Sequence, residues 1–137
     1  MLVAYRGGGC GIPRGVLNEP RKFDLEERTA KLGEAVIDFV KSLPETRVMD
    51  VLVKQIVRSA TSVGANYMEA DGASSKSDFK HKIDLCCKEA KETKHWLRMI
   101  ARANPETKER GRILWQEAHA LASIFASISL RCKKTPK

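Results

Sequence analysis

RSATSVGANYMEA, Arg58 to Ala70, decides how this chain is read. At helical spacing it carries two stripes at once. Taken back to Met49, the residues Met49, Val53, Ile56, Ala60, Val63, Tyr67 and Ala70 alternate steps of four and three. That is the spacing of a seam that packs one helix against others. Directly beside it, Gln55, Ser59, Ser62, Asn66 and Glu69 repeat the same steps with small or polar side chains. An ordinary amphipathic helix turns its second face to water. Here the small Ser59 and Ser62 would let a neighbouring helix come close, and Asn66 and Glu69 would then need partners, with Arg58 or Arg28 the nearest basic candidates. The polar stripe Arg58, Ser59, Ser62, Asn66 and Glu69 is therefore expected to serve helix or subunit packing.

The same rhythm runs outward in both directions. Leu25, Thr29, Leu32, Val36, Phe39 and Leu43 form a first helix, with Asp24 and Glu27 placed as a capping pair and Pro44 closing it. The second helix spans about Thr46 to Asp71, with Gly72 just past its end. Ser75 and Asp78 cap a third, whose seam is Phe79, Ile83, Cys86, Ala90, Thr93, Leu97 and Ile100. Asn104-Pro105 restarts the chain, a capping side chain followed by Pro at the first helical position. The fourth seam is Leu114, Ala118, Leu121, Phe125, Ile128 and Cys132, with Gly111 expected to delay its ordered start. Four such helices on short loops predict an all-α domain, an antiparallel up-down-up-down four-helix bundle over 23–132. Residues 1–22 read as a disordered basic, Gly-rich arm and 133–137 as a basic tail.

Charge is distributed unevenly. The 137-residue chain has a formal net charge of +8. Arg6, Arg14, Arg21 and Lys22 stand against Glu19 at one end, and Arg131, Lys133, Lys134 and Lys137 are unopposed at the other. Between them, 24–71 holds six basic and nine acidic residues, whereas 72–130 holds eleven and seven. This fits either a polyanionic partner or self-association of opposite halves. Apolar residues outside the seams, Ile113, Trp115, Ile124 and Leu130 on the fourth helix and Leu85, Trp96 and Met99 on the third, point to a homo-oligomer. No apolar run is long enough to span a membrane, so no membrane partner is expected. The cysteines Cys10, Cys86, Cys87 and Cys132 lack the spacing of a metal or redox motif and fit reduced thiols in a cytoplasmic protein.

Catalytic chemistry is hard to assemble from these residues. Glu92-Thr93-Lys94-His95 matches half of a di-iron bundle motif, but no second copy exists, and His95 lies opposite its helix's seam. There is no phosphate-binding glycine loop and no nucleophile elbow. The chain is expected not to be an enzyme, with no catalytic residues, no cofactor and no metal. What remains is a row of cations on the outward face of the third helix, Lys88, Lys91, His95, Arg98 and Arg102, interrupted upstream by Asp84. Lys88, Lys91, Arg98 and Arg102, with Arg131, Lys133 and Lys134, are the candidate nucleic-acid-binding residues. Exposed aromatics for base stacking are not expected, which favours contact with the phosphate backbone and little sequence preference.

Four ordered blocks, FDLEERT (Phe23–Thr29), RSATSVGANYMEA (Arg58–Ala70), SKSDFKHKI (Ser75–Ile83) and KEAKETKHWLRMI (Lys88–Ile100), resemble the bacterial 23S rRNA intervening-sequence (S23) protein family, a four-helix bundle family. The resemblance covers about 23–132. Its motif positions here are Arg58, Ser59, Ser62, Asn66, Glu69, Asp78, Phe79 and Glu89, while Cys86-Cys87 departs from the aliphatic or small residues usual at that place. It implies a ring-like homopentamer in a bacterial cytosol and brings no catalytic residues. The accessory protein of diversity-generating retroelements is similar in fold and charge. That likeness implies nucleic acid, RNA or DNA, and a reverse transcriptase as partners. Two functions follow as expectations: a non-catalytic oligomeric nucleic-acid-binding protein, accessory to such a reverse transcriptase or associated with ribosomal RNA, or a homo-oligomeric protein-interaction scaffold without nucleic acid.

Overall fold

The computed structural model describes residues 22–134. The N-terminal arm, Lys22 apart, and the last three residues lie outside the described residues. Four helices follow one another: α1 (Lys22–Lys41), α2 (Arg47–Asp71), α3 (Lys76–Ala103) and α4 (Lys108–Lys134), with a 3-10 turn, Pro105–Thr107, between the last two. Among the described residues there is no strand. Each helix packs on the next, most extensively α2 on α3 and α3 on α4, and α4 closes back on α1 along a sparser seam. With such short connections this is the antiparallel four-helix bundle.

The helix ends show local chemistry deciding boundaries. Thr46 Oγ1 accepts from the Met49 N–H at 3.0 Å, and Ser75 Oγ accepts from the Asp78 N–H at 3.0 Å, so both caps are of the side-chain kind. Asp24, by contrast, stands inside α1 rather than at its cap. An acidic residue suits a first turn as well, because the peptide dipoles there favour negative charge. Asn104 caps through its backbone. Its carbonyl accepts from the Thr107 N–H at 3.0 Å and the Thr107 hydroxyl at 2.8 Å, while its side chain makes no cap hydrogen bond. Gly72 ends α2 at φ −100°, which any residue can adopt, so the left-handed glycine cap is not used. Helix α4 does not start late. It runs unbroken through the buried Gly111, where an added Cβ would meet Phe39 at 3.7 Å and Leu97 at 3.9 Å. The helix also continues through Lys133 and Lys134, the two residues expected to begin a tail.

The four seams meet in one core. All six residues of the α1 seam are buried, and Val53 is the only half-buried residue of the α2 seam. Phe79 at the start of α3 and Ile128 and Cys132 near the end of α4 are half-buried, as expected where the bundle ends. Phe125, Ile56, Ile83, Ile100 and Leu121 have no exposed surface. Helices α1 and α2 cross closely at two glycines. A Cβ on Gly64 would stand 3.3 Å from Thr29 Oγ1, and one on Gly33 would stand 3.5 Å from Thr61 Cγ2. Helix α4 is tied to α1 by polar contacts: Arg28 grips Glu117 through two hydrogen bonds, at 3.0 and 2.8 Å, and Arg110 reaches the Ser42 hydroxyl at 2.7 Å.

Two core groups titrate only at high pH. Burial, then the charges of Asp71 and Glu26, pushes the Tyr67 hydroxyl up to about 12 from 10.0. Burial likewise pushes the Cys86 thiol up to about 12 from 9.0, and its sulfur donates to the Val63 carbonyl at 3.5 Å. Between those values the unfolded chain releases protons that the fold retains, so stability falls as pH rises. Urea midpoints should therefore decline steadily from about pH 9 to about pH 12, and Tyr67→Phe should flatten the upper part of that decline. A midpoint constant over that range would contradict the burial of both groups.

Candidate nucleic-acid interface

The polar stripe of α2 lies against α3. Ser59 is fully buried, and its hydroxyl meets Thr93 Oγ1 at 2.9 Å, while the Thr93 hydroxyl donates to the Glu89 carbonyl at 2.9 Å. Arg58 reaches across to Glu89, 3.1 Å away, and to Glu92. Burial works against its charge, but the two carboxylates outweigh this and hold the guanidinium above its ordinary pKa. Glu69 pairs with Lys82 at 2.7 Å. Asn66 turns back to its own helix, donating to the Ser62 carbonyl at 2.9 Å. The expected partners were therefore misassigned: neither Arg58 nor Arg28 serves Glu69 or Asn66. Ser62 is half-buried on the same face. Solvent screens ion pairs at a surface, so these pairs orient α2 and α3 more than they stabilise them.

The outward face of α3 is cationic. Lys88, Lys91, His95, Arg98 and Arg102 are all exposed. They recur every three or four residues, so Lys88 to Arg102 extends over about 21 Å at 1.5 Å per residue. A shallow groove of about 470 Å³ runs beside Lys88, Lys91 and His95. Asp84, the acidic residue upstream, is occupied by Lys80 at 2.7 Å and by the Ser129 hydroxyl. Burial opposes its charge, but these two donors and the nearby Lys80 and Lys133 outweigh it and hold the carboxyl below its ordinary pKa. Its negative charge is thus largely answered within the protein. Arg131 and Lys133 are exposed on the last turns of α4, Lys133 near enough to act on Asp84, and the side chain of Lys134 lies outside the described residues. The structure thus groups Lys88, Lys91, Arg98 and Arg102 along one line and brings Lys133 near Asp84 upstream of it, whereas nothing places Arg131 on that line.

The half-motif of a metal bundle is taken apart in the same region. Glu92 is engaged by Arg58, and His95 lies edge-on to Trp96 at 4.8 Å. Among the described residues no three His, Cys, Asp or Glu side chains converge as a metal site. Cys86, Cys87 and Cys132 are free thiols.

The sequence sets Trp115 outside the fourth seam, but the expectation of no exposed aromatic is overturned. Trp115 is 38% exposed and is the aromatic among the exposed large apolar side chains described. His119 stacks on it at 5.1 Å with the rings 11° apart, and Lys94 lies 5.0 Å from its centroid while bonding His119 Nδ1 at 3.0 Å. The signal was present in the sequence, since Trp115 falls one position from the seam residue Leu114 and cannot share its direction.

The family model for 23S rRNA-intervening sequence proteins matches residues 21–127. The chain belongs to that family. A crystal structure of a protein of unknown function from the S23 ribosomal protein family of Bacteroides thetaiotaomicron VPI-5482 is similar at 30% identity. The similarity has a TM-score of 0.72 and covers 79% of this chain and 96% of that one. No curated protein matches. In this 23S rRNA-intervening sequence family member, Arg58, Ser59 and Glu69 lie at the α2–α3 contact and Asp78 at the α3 cap. No helix of the described residues is long and apolar enough to cross a membrane.

Proposed function

We propose that this family member is a non-catalytic, oligomeric nucleic-acid-binding protein that grips the phosphate backbone along α3. The observation that carries this reading is the exposed line Lys88, Lys91, Arg98 and Arg102, none of which has an ion-pair partner among the described residues. Other cations of the bundle, Arg28, Arg58, Lys80 and Lys82, are consumed by carboxylates. A line of unanswered cations about 21 Å long spans roughly six steps of a duplex strand at 3.4 Å each. The family's name makes ribosomal RNA the first RNA to test. The retroelement likeness rests on fold and charge, and makes a reverse transcriptase the second partner to test.

Self-association is supported by exposed apolar side chains, Ile113 at 68% and Leu130 at 57% on α4 and Ile37 and Met68 over an α1–α2 groove edged by Glu26, Glu27 and Glu34. An acidic groove on one half and a cationic face on the other also support the scaffold reading, in which copies bind one another and no nucleic acid is involved.

Salt titration tests the electrostatic grip. With fluorescently labelled RNA, log Kd should rise linearly with log salt, losing roughly fiftyfold or more in affinity between about 50 and 200 mM for about four to six phosphate contacts. An affinity that does not move over that range, or no binding at 50 mM salt, would overturn the proposal.

A further inference from the structure

The geometry points to a second element of this interface: a pocket beside Trp115 that takes one unpaired base from a single-stranded nucleic acid. It rests on the nucleic-acid reading and makes it more specific. A groove of about 300 Å³ lies between α3 and α4, lined by Leu97, Arg98, Ala101, Lys108, Gly111, Arg112 and Trp115. That volume is at the small end of ligand sites. Leu97, Ala101 and Gly111 give it an apolar floor and Trp115 an aromatic wall. Gly111 and Lys108 precede Trp115 by one and two helical turns, whereas His119 follows it by one. His119 stacks on the indole and Lys94 lies 5.0 Å from its centroid, while the same indole lines the groove.

The opening is cationic. Arg98, Lys108 and Arg112 surround it, and of these only Arg112 has an ion pair among the described residues, a 3.4 Å contact with the exposed Glu109. An apolar slot walled by an indole suits a planar ring, and three guanidinium or ammonium groups at its mouth suit the phosphates on either side of that ring. A purely apolar ligand would leave the cations unused, and a rigid duplex keeps its bases stacked out of reach. Arg98 makes the pocket continuous with the α3 line, because it belongs to both. One strand could lie along Lys88, Lys91 and Arg98 and turn a base in against Trp115. Sequence preference would then come from stacking at one nucleotide, while the rest of the grip stays indifferent to sequence.

The test compares a labelled 12-nucleotide single strand with a blunt duplex of the same sequence, using full-length protein. In a Trp96→Phe background Trp115 is the one remaining tryptophan. The single strand should quench its emission and the duplex should not. Trp115→Ala should weaken single-strand binding roughly five- to a hundredfold and leave duplex binding unchanged, and Trp115→Phe should keep most of the affinity. Equal loss for both forms, loss for neither, or loss in Trp115→Phe as large as in Trp115→Ala overturns the pocket. So does a change in sedimentation of Trp115→Ala without a change in binding, which would make the indole a contact between copies. Salt-dependent duplex binding without single-strand quenching defeats the pocket alone. Absence of binding to either form defeats the backbone reading with it.

Discussion

Phe125→Ala is expected to lower the stability of the bundle by about 3–5 kcal/mol, the range for truncating a fully buried aromatic. Phe125 has no exposed surface and is the largest side chain so enclosed among the described residues. Its ring lies 5.9 Å from that of Tyr67, tilted by 45°, so it joins α4 to α2 through the middle of the core. Alanine removes the ring's contacts and leaves a hole that helices pinned at both ends cannot collapse to fill. For a domain of this size the melting temperature should fall by roughly 10 °C or more. Phe125→Leu, which refills most of the space, should recover a large part of the loss. A Phe125→Ala protein melting within about 2 °C of the parent would show that the bundle does not close around this ring.

The second large effect is on binding. Lys88→Glu, Lys91→Glu, Arg98→Glu and Arg102→Glu together take the formal net charge from +8 to zero, and all four sites are exposed and outside the core. Folding should be little affected, as for most surface substitutions. RNA affinity at low salt should drop by about a thousandfold or more, and the salt slope should flatten by about three to four, close to 0.9 for each contact removed. A matching set of glutamines guards against poor solubility at neutral net charge and should show the same flattening. Sedimentation run beside the binding assay separates the readings. Lost binding with an unchanged oligomer supports the cationic line as an RNA grip, and a dissociated oligomer supports the scaffold.

How much of this could be read from the chain depends on which property a residue contributes. The seams were legible because burial follows helical period alone: Val36, Ile56, Ala90 and Leu121 each had to face inward whatever lay opposite. The cationic face of α3 was legible for the same reason. Partners were not. Glu69 finds Lys82 and Arg58 finds Glu89 and Glu92 because α3 lies at one particular height and rotation beside α2, and no spacing within α2 encodes that. Helix ends failed where two chemistries could serve, as with the backbone turn that replaces the Asn104 side chain. The exposed indole failed for another reason. Apolar residues beside a seam were assigned to subunit contact as a group, whereas Trp96 is packed against the core and Trp115 opens onto a charged groove.

The buried hydroxyls at the α2–α3 contact have a consequence for how the helices find their alignment. Apolar seams repeat every turn, so α2 could slide along α3 by about 5.4 Å and still bury Ile56, Ala60 and Val63. The polar stripe beside the seam does not repeat so freely: the neighbours of Ser59 along it are Gln55 and Ser62, and Gln55 set against Thr93 would crowd a fully buried space that a small hydroxyl fills. The same slide would separate Arg58 from one of its two carboxylates. A few polar atoms thus act as a vernier on an otherwise sliding contact, and the height at which they lock α3 also sets the level at which its cations are presented.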